Sequence, residues 1–240
     1  MKRLFDIVLA FIGLVCASPV LLTVMFLVWW EDRHSPFYIA PRVGRSGLAF
    51  RMVKMRSMRI GADKSGVSST SNNDQRITPV GHFIRRFKID ELTQLWNVLW
   101  GDMSFVGPRP QVQSGVDLYT ARERELLGVR PGITDFASIV FSDEGSILSG
   151  SRDPDADYDR LIRPWKSRLG LVYVASHTLW LDIRLILLTA MAIVSRQTAL
   201  NCVVWILQNL QVDAQLVDIC RRSKALEPGF PPDAGFRPFV

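Results

Sequence analysis

The chain begins with a long, uninterrupted run of apolar residues. From Ile7 to Trp30 the sequence IVLAFIGLVCASPVLLTVMFLVWW contains no charged residue. At about 1.5 Å of rise per residue, a helix of this length can cross a hydrocarbon core about 30 Å thick. The pattern therefore predicts a membrane helix, which either spans the bilayer or enters and leaves it on one side.

The middle and the flanks of this run bear on that choice. Ser18 and Pro19 lie at its centre, where proline removes a backbone donor and favours a break or kink. Lys2 and Arg3 precede the run and Arg33 follows it, so the positive-inside rule places both flanks on the cytoplasmic side. A re-entrant helix satisfies this preference at both flanks and a straight span at one. The residues alone leave both arrangements open.

The next segment has the pattern of a β-hairpin. Between Tyr38 and Met58, two extended stretches surround a turn that Gly44 and Gly47 bracket. The second stretch is basic, with Arg51, Lys54, Arg56 and Arg59. These charges fit a solvated strand and also a strand beside a membrane. The polar, Gly/Ser-rich stretch Gly61 to Asp74 that follows predicts a mobile loop.

An acidic pair opens an apolar helical pattern in the centre of the chain. Apolar side chains fall at helical spacing at Phe87, Leu92, Leu95, Trp96 and Leu99. The pattern predicts one amphipathic helix, whose first turn carries Asp90 and Glu91. For such a pair the simplest interpretation is structural, with Asp90 as the N-cap and Glu91 favoured by the helix dipole.

Two arginine-proline turns follow this helix. The first is the segment GPRP, in which Pro110 restricts Arg109 to an extended backbone, and the second is VRPG, with Arg130. A stiffened arginine loses less entropy when it clamps a phosphate. Two such turns close to an acidic and basic helix start predict a phosphate or oxyanion site that includes Arg109 and Arg130.

The C-terminal half carries a second apolar segment and an acidic one. Thr178 to Gln197 is apolar but has charges near both ends, so the pattern predicts a buried or interfacial helix and not a span. The segment SRDPDADYDRL does not fit a calcium loop because Tyr158 occupies the place that needs glycine. Its Asp155 and Asp157 resemble the metal-binding DxD of nucleotide-sugar glycosyltransferases, although an acidic surface loop is the simpler prediction. The Pro/Gly-rich tail after Asp213 is expected to be poorly ordered.

The composition limits the kinds of binding partner that are expected. The 240 residues carry a net charge of +6 and are 48% hydrophobic, which predicts a folded protein with an anionic partner. We expect membrane lipid and not nucleic acid. The three cysteines, Cys16, Cys202 and Cys220, have no metal or redox spacing, and the three histidines are scattered. A zinc site or a Ser/His triad is therefore not expected.

Four motifs together resemble a known family. They are KRLFDIVLAFIGLVCASPV, VKMRSM, RRFKIDELTQLWNVLWGDMSFVGPRP and VRPGIT. Over Lys2 to Arg196 the chain is similar to the bacterial sugar transferases, also called monotopic phosphoglycosyl transferases, in what looks like their small, minimal form. The resemblance implies an α+β, mostly helical, monotopic membrane protein. We expect a re-entrant helix over 1–36 with its break at Ser18 and Pro19, a catalytic core over 37–197, and an extension of unknown role over 198–240.

The resemblance also implies an activity. The expected reaction transfers a sugar-1-phosphate from a UDP-sugar to polyprenyl phosphate at the cytoplasmic face of the bacterial inner membrane, with release of UMP. It makes Asp90 the nucleophile and Glu91 its partner, and it implies Mg²⁺ held by both. Arg85, Pro108 and Arg109 match positions that contact phosphate. The donor sugar is not predicted, and a homo-oligomer is compatible with the resemblance.

Two other functions remain as alternatives at this point. One is a DxD-type glycosyltransferase that uses Asp155 and Asp157 and releases UDP. The other is a peripheral membrane scaffold without catalysis, which would bind anionic lipid through its basic and tryptophan residues.

Overall fold

The protein is mostly helical, with two small sheets. A computed structural model describes residues 1–65, 70 and 74–239, without the side chains of 64 and 65. Its helices are α1 (Lys2–Asp32), α2 (Pro79–Arg86), α3 (Ile89–Leu92), α4 (Leu95–Trp100), α5 (Gln113–Asp117), α6 (Phe136–Val140), α7 (Glu144–Ile147), α8 (Pro154–Leu161), α9 (Arg163–Ser176), α10 (Leu179–Val194), α11 (Arg196–Asn209) and α12 (Ala214–Arg221). Its strands are β1 (Phe37–Val43), β2 (Ala49–Met55), β3 (Ser104–Val106) and β4 (Gly132–Thr134). The expected α+β, mostly helical class is confirmed.

The predicted hairpin is confirmed. Strands β1 and β2 pair antiparallel with Phe37 opposite Met55 and Val43 opposite Ala49, and a 3-10 turn joins them. The loop predicted over Gly61 to Asp74 lies partly outside the described residues. Its first part forms a 3-10 turn at Ala62–Ser65.

The second sheet brings the two arginine-proline turns together. Strands β3 and β4 pair in parallel, and the backbone continues in contact beyond the pair, where the Gly132 amide donates to the Pro108 carbonyl at 3.1 Å. A Cβ built on Gly132 would lie 2.1 Å from the backbone nitrogen of Gly107, and one on Gly107 would lie 2.3 Å from the Arg130 carbonyl oxygen. Only glycine permits this close approach of the two chains.

Helix α1 lies along the body of the protein with one face buried. Its buried residues, at positions from the first turn to the last, are Asp6, Ala10, Leu21, Val24 and Val28. The remaining faces expose large apolar side chains along the same length, among them Phe11, Val15, Leu22, Phe26 and Trp30. Of the helices in the described part of the chain, α1 alone has the length and apolar composition that a membrane crossing needs.

The predicted break in α1 is not an interruption of the helix. The helix continues through Ser18 and Pro19, and nearby hydroxyls bond to carbonyls of the same segment. Ser18 Oγ donates to the Val15 carbonyl at 2.7 Å, and Thr23 Oγ1 donates to the Pro19 carbonyl at 2.8 Å. Membrane helices tolerate proline where neighbouring groups re-satisfy the backbone in this way. A re-entrant path of this helix stays a prediction.

Both ends of α1 are tied to the same body. At the first turn, Lys2 pairs with the buried Asp182 of α10, and Arg3 Nη2 donates to the Leu99 carbonyl of α4 at 2.7 Å. At the last turn, Arg56 Nη2 donates to Asp32 Oδ1 at 2.7 Å. The helix is therefore fixed at two distant points and not hinged on one.

The prediction of a single amphipathic helix from Phe87 to Leu99 is wrong. The segment forms two short helices, α3 and α4, and Phe87 ends the preceding helix α2. Lys88, with a left-handed φ of 53°, separates α2 from α3, so Asp90 lies in the first turn of α3 and is not its N-cap. Trp96 and Trp100 point outward, 44% and 73% exposed, and do not continue a buried face.

Two predictions for the C-terminal half need correction. The acidic segment is not a surface loop, because Asp153 accepts the Ala156 amide at 3.0 Å and caps helix α8. The tail is not loose in its described part. Trp165 Nε1 donates to the Glu227 carbonyl at 3.1 Å, and the Gly229 amide donates to the Arg160 carbonyl at 3.0 Å. Sequence composition suggested disorder, but the backbone polar groups of the tail find partners on α8 and α9.

The main core lies in this C-terminal half. It is formed by α6, α9, α10, α11 and α12, with fully buried Phe136, Leu169, Leu185, Leu200 and Leu207 among its side chains. The predicted helix over Thr178 to Gln197 is confirmed as α10, which buries one face and exposes Trp180 and Leu187 on another. The three cysteines are free, as expected.

Candidate active site

The acidic pair rests directly on the apolar helix. Helix α3 carries Asp90 and Glu91, and Ile89 before them belongs to a buried cluster with Leu21 and Val24 of α1. The burial of Ile89 against α1 fixes the position of α3 relative to α1. The exposed face of α1 and the acidic pair are consequently parts of one rigid region.

Hydrogen bonds to the hairpin fix the other side of the pair. The Asn97 side chain, 2% exposed, accepts the Val53 amide at 2.9 Å and donates to the Arg51 carbonyl at 2.8 Å. Thr93 Oγ1 lies 3.2 Å from the Val53 carbonyl and 3.0 Å from the Asp90 carbonyl. These hydrogen bonds therefore fix the position of strand β2 relative to helices α3 and α4.

Each carboxylate has its own cation. Lys54 Nζ of strand β2 lies 3.7 Å from Asp90 Oδ2, and Arg109 Nη2 donates to Glu91 Oε1 at 2.8 Å. Arg109 follows β3 in the first arginine-proline turn. Both pairs are largely buried, with side-chain exposures of 14% for Asp90 and 17% for Glu91. A desolvated ion pair of this kind is strong only while both partners are present.

The two carboxyl groups are shifted in opposite directions. Burial raises the pKa of Asp90, Lys54 opposes the rise, and the neighbouring Glu91 charge adds to it. Burial also acts to raise the pKa of Glu91, but Arg109 and Lys54 outweigh it and hold that pKa below its usual range. The pair therefore combines a carboxylate that stays ionised with one that is held less firmly in that state. Such separation is common where two carboxyl groups have different chemical roles.

Further cations surround the pair. Arg85 of α2 and Lys88 favour the ionised forms of Asp90 and Glu91, respectively. Burial lowers the pKa of Lys54, and the nearby Arg109 lowers it further. Arg42 of β1 is close enough to Arg109 for its own pKa to be lowered, after the larger effect of burial. An excess of cations around two carboxylates favours a multiply charged anion as the ligand.

Not every residue that the sequence singled out lies here. Asp90, Glu91, Arg85 and Arg109 come together, whereas Arg130 does not join them. Its Nε donates to the Gly101 carbonyl at the end of α4 at 2.9 Å. The two arginine-proline turns meet through their backbones and direct their side chains to different places.

Pro108 has a backbone role in this arrangement. It is buried, and its carbonyl accepts the Gly132 amide at 3.1 Å. It fixes the start of the turn from which the next residue, Arg109, reaches Glu91.

Sequence reasoning missed two members of the group. Lys54 was seen only as one of several charges on a basic strand, and Arg42 was not singled out. Met52 and Met55, on either side of Lys54 in the sequence, are both buried, which shows that this strand is not simply solvated. That signal does not reveal which carboxylate the lysine meets.

The carboxylates have the donor set for a weakly held divalent cation. Within the described residues, no group of three or more His, Cys, Asp or Glu side chains is placed to hold a metal. Mg²⁺ commonly binds through one or two carboxylates together with waters and substrate phosphates. Asp90 and Glu91 fit that pattern, and they do not form a metal cage by themselves.

The acidic pair lies apart from the cavity of the C-terminal half. This cavity, of about 340 Å³, lies between α9, α10 and α11 and is lined by Trp180, Arg184 and Trp205. It contains none of the charged residues around the acidic pair. The DxD carboxylates are also not grouped with that pair. Asp157 accepts from Ser151 Oγ at 2.6 Å and from Arg160 at 3.2 Å within its own segment.

Comparisons with known proteins agree on a family. The undecaprenyl-phosphate glucose phosphotransferase of Komagataeibacter xylinus is 37% identical over 199 residues, which are 78% of this chain and 35% of that protein. The UDP-N-acetylgalactosamine-undecaprenyl-phosphate N-acetylgalactosaminephosphotransferase of Aeromonas hydrophila is 34% identical over 200 residues, with coverages of 81% and 44%. The undecaprenyl-phosphate galactose phosphotransferase of Salmonella typhimurium is 35% identical over 217 residues, with coverages of 83% and 41%.

The three matches cover most of this chain but only part of each relative. The chain spans less than half the length of each of these three proteins. The family model for bacterial sugar transferases matches residues 1–196, which include α1, the hairpin, the acidic pair and both arginine-proline turns. The chain belongs to the bacterial sugar transferase family.

Proposed function

We propose that this protein transfers a sugar-1-phosphate from a UDP-sugar to undecaprenyl phosphate and releases UMP. The observation that supports this most directly is the acidic pair, in which Asp90 and Glu91 have opposite pKa shifts beside Lys54 and Arg109. The names of three relatives contain undecaprenyl phosphate and a sugar phosphotransferase activity. Their sugars are glucose, N-acetylgalactosamine and galactose, so the proposal names no single donor.

Asp90 is the nucleophile in this proposal. One of its carboxylate oxygens attacks the phosphorus that carries the sugar, and the bond from that phosphorus to the bridging oxygen of UMP breaks. The electron pair leaves with UMP, and an acyl phosphate joins Asp90 to the sugar phosphate. A phosphate oxygen of undecaprenyl phosphate then attacks the same phosphorus and frees the carboxylate. Splitting the transfer in this way lets two anionic substrates react one after the other.

The surrounding cations offset the like-charge repulsion of this attack. Lys54, Arg85 and Arg109 present fixed positive charge where negative charge collects on the diphosphate. Glu91 keeps Arg109 oriented through its hydrogen bond. We further propose that Asp90 and Glu91 hold Mg²⁺ together with the donor diphosphate. When bound there, the ion neutralises phosphate charge and polarises the phosphorus.

We also propose that the protein is monotopic, with its active site at the cytoplasmic membrane surface. Both ends of α1 bond to the same body, through Lys2 and Asp182 at one end and Asp32 and Arg56 at the other. A helix that crossed the bilayer would carry one of these ends to the opposite side. The exposed side chains of Phe83, Phe87, Trp96 and Trp100, on α2 and α4 beside the site, suit the bilayer interface.

The test of the activity is product identity. The full chain, purified in detergent or nanodiscs, is incubated with Mg²⁺, undecaprenyl phosphate and each of several UDP-sugars, and the released nucleotide is identified. UMP is expected, whereas release of UDP would show the DxD-type glycosyltransferase. Asp90→Asn is expected to reduce turnover by on the order of 10³-fold or more because the nucleophile is lost.

The covalent step has its own measurement. With donor labelled in the sugar and no acceptor, mass spectrometry of a rapidly quenched digest is expected to find the label on the peptide that contains Asp90. Asp155→Asn serves as the matched control and is expected to retain UMP release. Retained turnover in Asp90→Asn would contradict the proposed nucleophile. Vesicle binding with no nucleotide released from any donor would favour the scaffold.

A further inference from the structure

Two arginines, one at the end of the family match and one beyond it, hold one aspartate. Asp143 precedes helix α7, and its Oδ1 lies 2.9 Å from Arg196 Nη2 and its Oδ2 lies 3.0 Å from Arg222 Nη2. Arg196 is the last residue of the family match and the first residue of α11, whereas Arg222 lies beyond the match and follows α12. The C-terminal extension is thereby attached to a short helix of the core.

These contacts are specific and partly buried. The side chains of Asp143 and Arg222 are 27% and 10% exposed. Arg196 also donates to the Val140 carbonyl and to Ser142 Oγ, both at 3.1 Å, and the Arg222 guanidinium lies 5.7 Å from the centre of the Phe141 ring. Arg196 and Arg222 together therefore hold the segment that leads into α7, and not the aspartate alone.

Helix α7 needs such support. It has four residues, and an isolated helix of that length does not form in water. No side chain caps its N-terminus, since the side chain of Asp143 is engaged by the two arginines. The placement of α7 therefore depends on tertiary contacts, among them those of the preceding Asp143 with Arg196 of α11 and with Arg222 after α12.

The residue after Asp143 reaches the active site. Glu144 pairs with Lys166 of α9, and Lys166 also lies 5.2 Å from the centre of the Tyr158 ring. Helix α9 also lies against the turn that carries Arg109, because a Cβ on Gly170, one turn after Lys166, would be 3.7 Å from Cβ of Pro108. The charge of Glu144 adds to the larger effect of Glu91 in favouring the charged form of Arg109, which donates to Glu91. The contacts thus lead from Arg222 of the extension to Asp143, through the backbone to the neighbouring Glu144 and its partner Lys166, and so to the surroundings of Arg109.

We propose that Arg222, Asp143 and Arg196 are positioning residues, which place α7 so that Glu144 and Lys166 stand beside Arg109 when the nucleotide-sugar binds. This inference rests on the proposed function. None of the three touches the reacting atoms in this account. They act through Glu144, which restrains Lys166, so that Arg109 and Lys166 offer the donor a fixed arrangement of charge. The effect falls on donor binding, because Arg109 meets the donor diphosphate in the proposed function.

The test compares Arg222→Gln, Asp143→Asn and their double variant with the matched control Arg221→Gln. Arg221 is the exposed neighbour of Arg222 at the end of the same helix. UMP release is measured against the concentrations of donor and acceptor. The donor KM is expected to rise by about fivefold, which corresponds to roughly 1 kcal/mol of lost binding, with kcat and the acceptor KM nearly unchanged. The double variant is expected to match the worse single variant because both remove one interaction.

Two further measurements separate positioning from general support. Arg222→Lys is expected to recover at least half of the donor affinity, and the unfolding midpoint of Arg222→Gln is expected to stay near that of Arg221→Gln. A donor KM equal to wild type, or donor and acceptor KM values that rise together with a lowered midpoint, would overturn the inference.

A readout without turnover keeps this inference apart from the proposed function. Amine acylation followed by mass spectrometry measures how reactive Lys166 is in the full chain. Severalfold greater labelling of Lys166 is expected in Arg222→Gln than in Arg221→Gln, and equal labelling would overturn the inference whatever the activity. Failure of wild-type protein to release UMP from any donor would instead contradict the proposed function.

Discussion

At the scale of single residues, the site depends on Lys54 as much as on the acidic pair. Lys54 comes from the hairpin and lies 3.7 Å from Asp90, with burial lowering its pKa and the cation of Arg109 lowering it further. Its charge is one of the factors that keep the pKa of Asp90 from rising further. A nucleophilic carboxylate is active only when ionised, so in the proposed mechanism this lysine helps to set the acidic limit of the reaction.

Replacing Lys54 with methionine is therefore expected to move the acidic limb of the pH profile. Loss of the cation removes an effect that lowers the pKa of Asp90, so that pKa rises and more of the enzyme is protonated at a given pH. The limb of kcat/KM is expected at higher pH than in wild type, and kcat/KM at neutral pH is expected to fall by on the order of tenfold or more. Initial rates of UMP release between pH 5 and about pH 9 give the profile.

The control is Arg51→Met, which removes an exposed charge from the same strand. It is expected to leave the acidic limb in place. A limb that stays where it is in Lys54→Met, or that moves to lower pH, would contradict the role given to this lysine.

Asn97 is a second residue for which the effect of a substitution on stability can be predicted. Its buried amide satisfies the Val53 amide and the Arg51 carbonyl of β2. Asn97→Ala leaves both backbone groups without a partner, and we expect the free energy of unfolding to fall by about 2–4 kcal/mol. Chemical denaturation of the detergent-solubilised protein measures it. A change of less than about 0.5 kcal/mol would show that water replaces these bonds at no cost.

Sequence reasoning found part of the site at this scale. Asp90, Glu91, Arg85 and Arg109 lie near one another in the chain and in a specific motif, so their grouping was predictable. The partner of Lys54 was not, because it depends on how the hairpin packs on α3. The direction of Arg130 was not predictable either, since a backbone pattern does not say which way a long side chain points.

At the scale of elements, local patterns predicted the hairpin and the long apolar helices α1 and α10, but not the shorter elements between them. Alternation and glycines were enough for the hairpin of β1 and β2. The helical spacing from Phe87 to Leu99 predicted one helix, and the structure has two with Lys88 in the left-handed region before them. Buried Thr93 and Asn97 bond to β2 across this junction, so tertiary contacts override the local pattern. The parallel pair β3 and β4 was missed because three-residue strands carry no periodic signal.

The parallel pair gives a direct test of the close backbone contact. In Gly132→Ala the added methyl group would lie 2.1 Å from the Gly107 nitrogen, so the two turns must separate. We expect a loss of at least about 2–3 kcal/mol in the free energy of unfolding, together with weaker donor binding because Arg109 follows this contact. Denaturation curves and the donor KM are the measurements.

Gly128→Ala is the control, because a Cβ at that position meets nothing within 4 Å. It is expected to change stability by less than about 0.5 kcal/mol. Equal stabilities of the two alanine variants would contradict the tight contact between the turns.

At the scale of the whole molecule, α1 and the C-terminal extension are both parts of the folded body. Helix α1 packs along its length on α2, α3, α4 and β3, and the extension contributes Leu200, Val203 and Leu207 to the main core. The apolar character of α1 was plain from the sequence. The packing of the tail was not, because its Pro/Gly-rich composition is equally typical of disorder.

The proposed membrane arrangement predicts that both ends of α1 face the cytoplasm. In a chain with Cys16, Cys202 and Cys220 replaced by serine or alanine, single cysteines are placed at Leu4 and at Glu31. Both positions are exposed. An impermeant maleimide is expected to label each in inverted membrane vesicles and neither in intact spheroplasts.

Labelling of Leu4→Cys in intact spheroplasts would show a spanning helix and contradict the monotopic proposal. Labelling of both positions from the outside would contradict the cytoplasmic placement of the active site.

The burial of Ile89 among Leu21 and Val24 has a consequence for how such a protein can be rebuilt. A membrane segment that only tethers a domain can be replaced by another of similar hydrophobicity without loss of stability in that domain. Here α1 supplies buried contacts to Ile89, the residue directly before Asp90. Replacing α1 with a foreign membrane segment would remove the buried contacts of Ile89 and so the support for Asp90. The membrane segment and the acidic pair would therefore have to be transferred together.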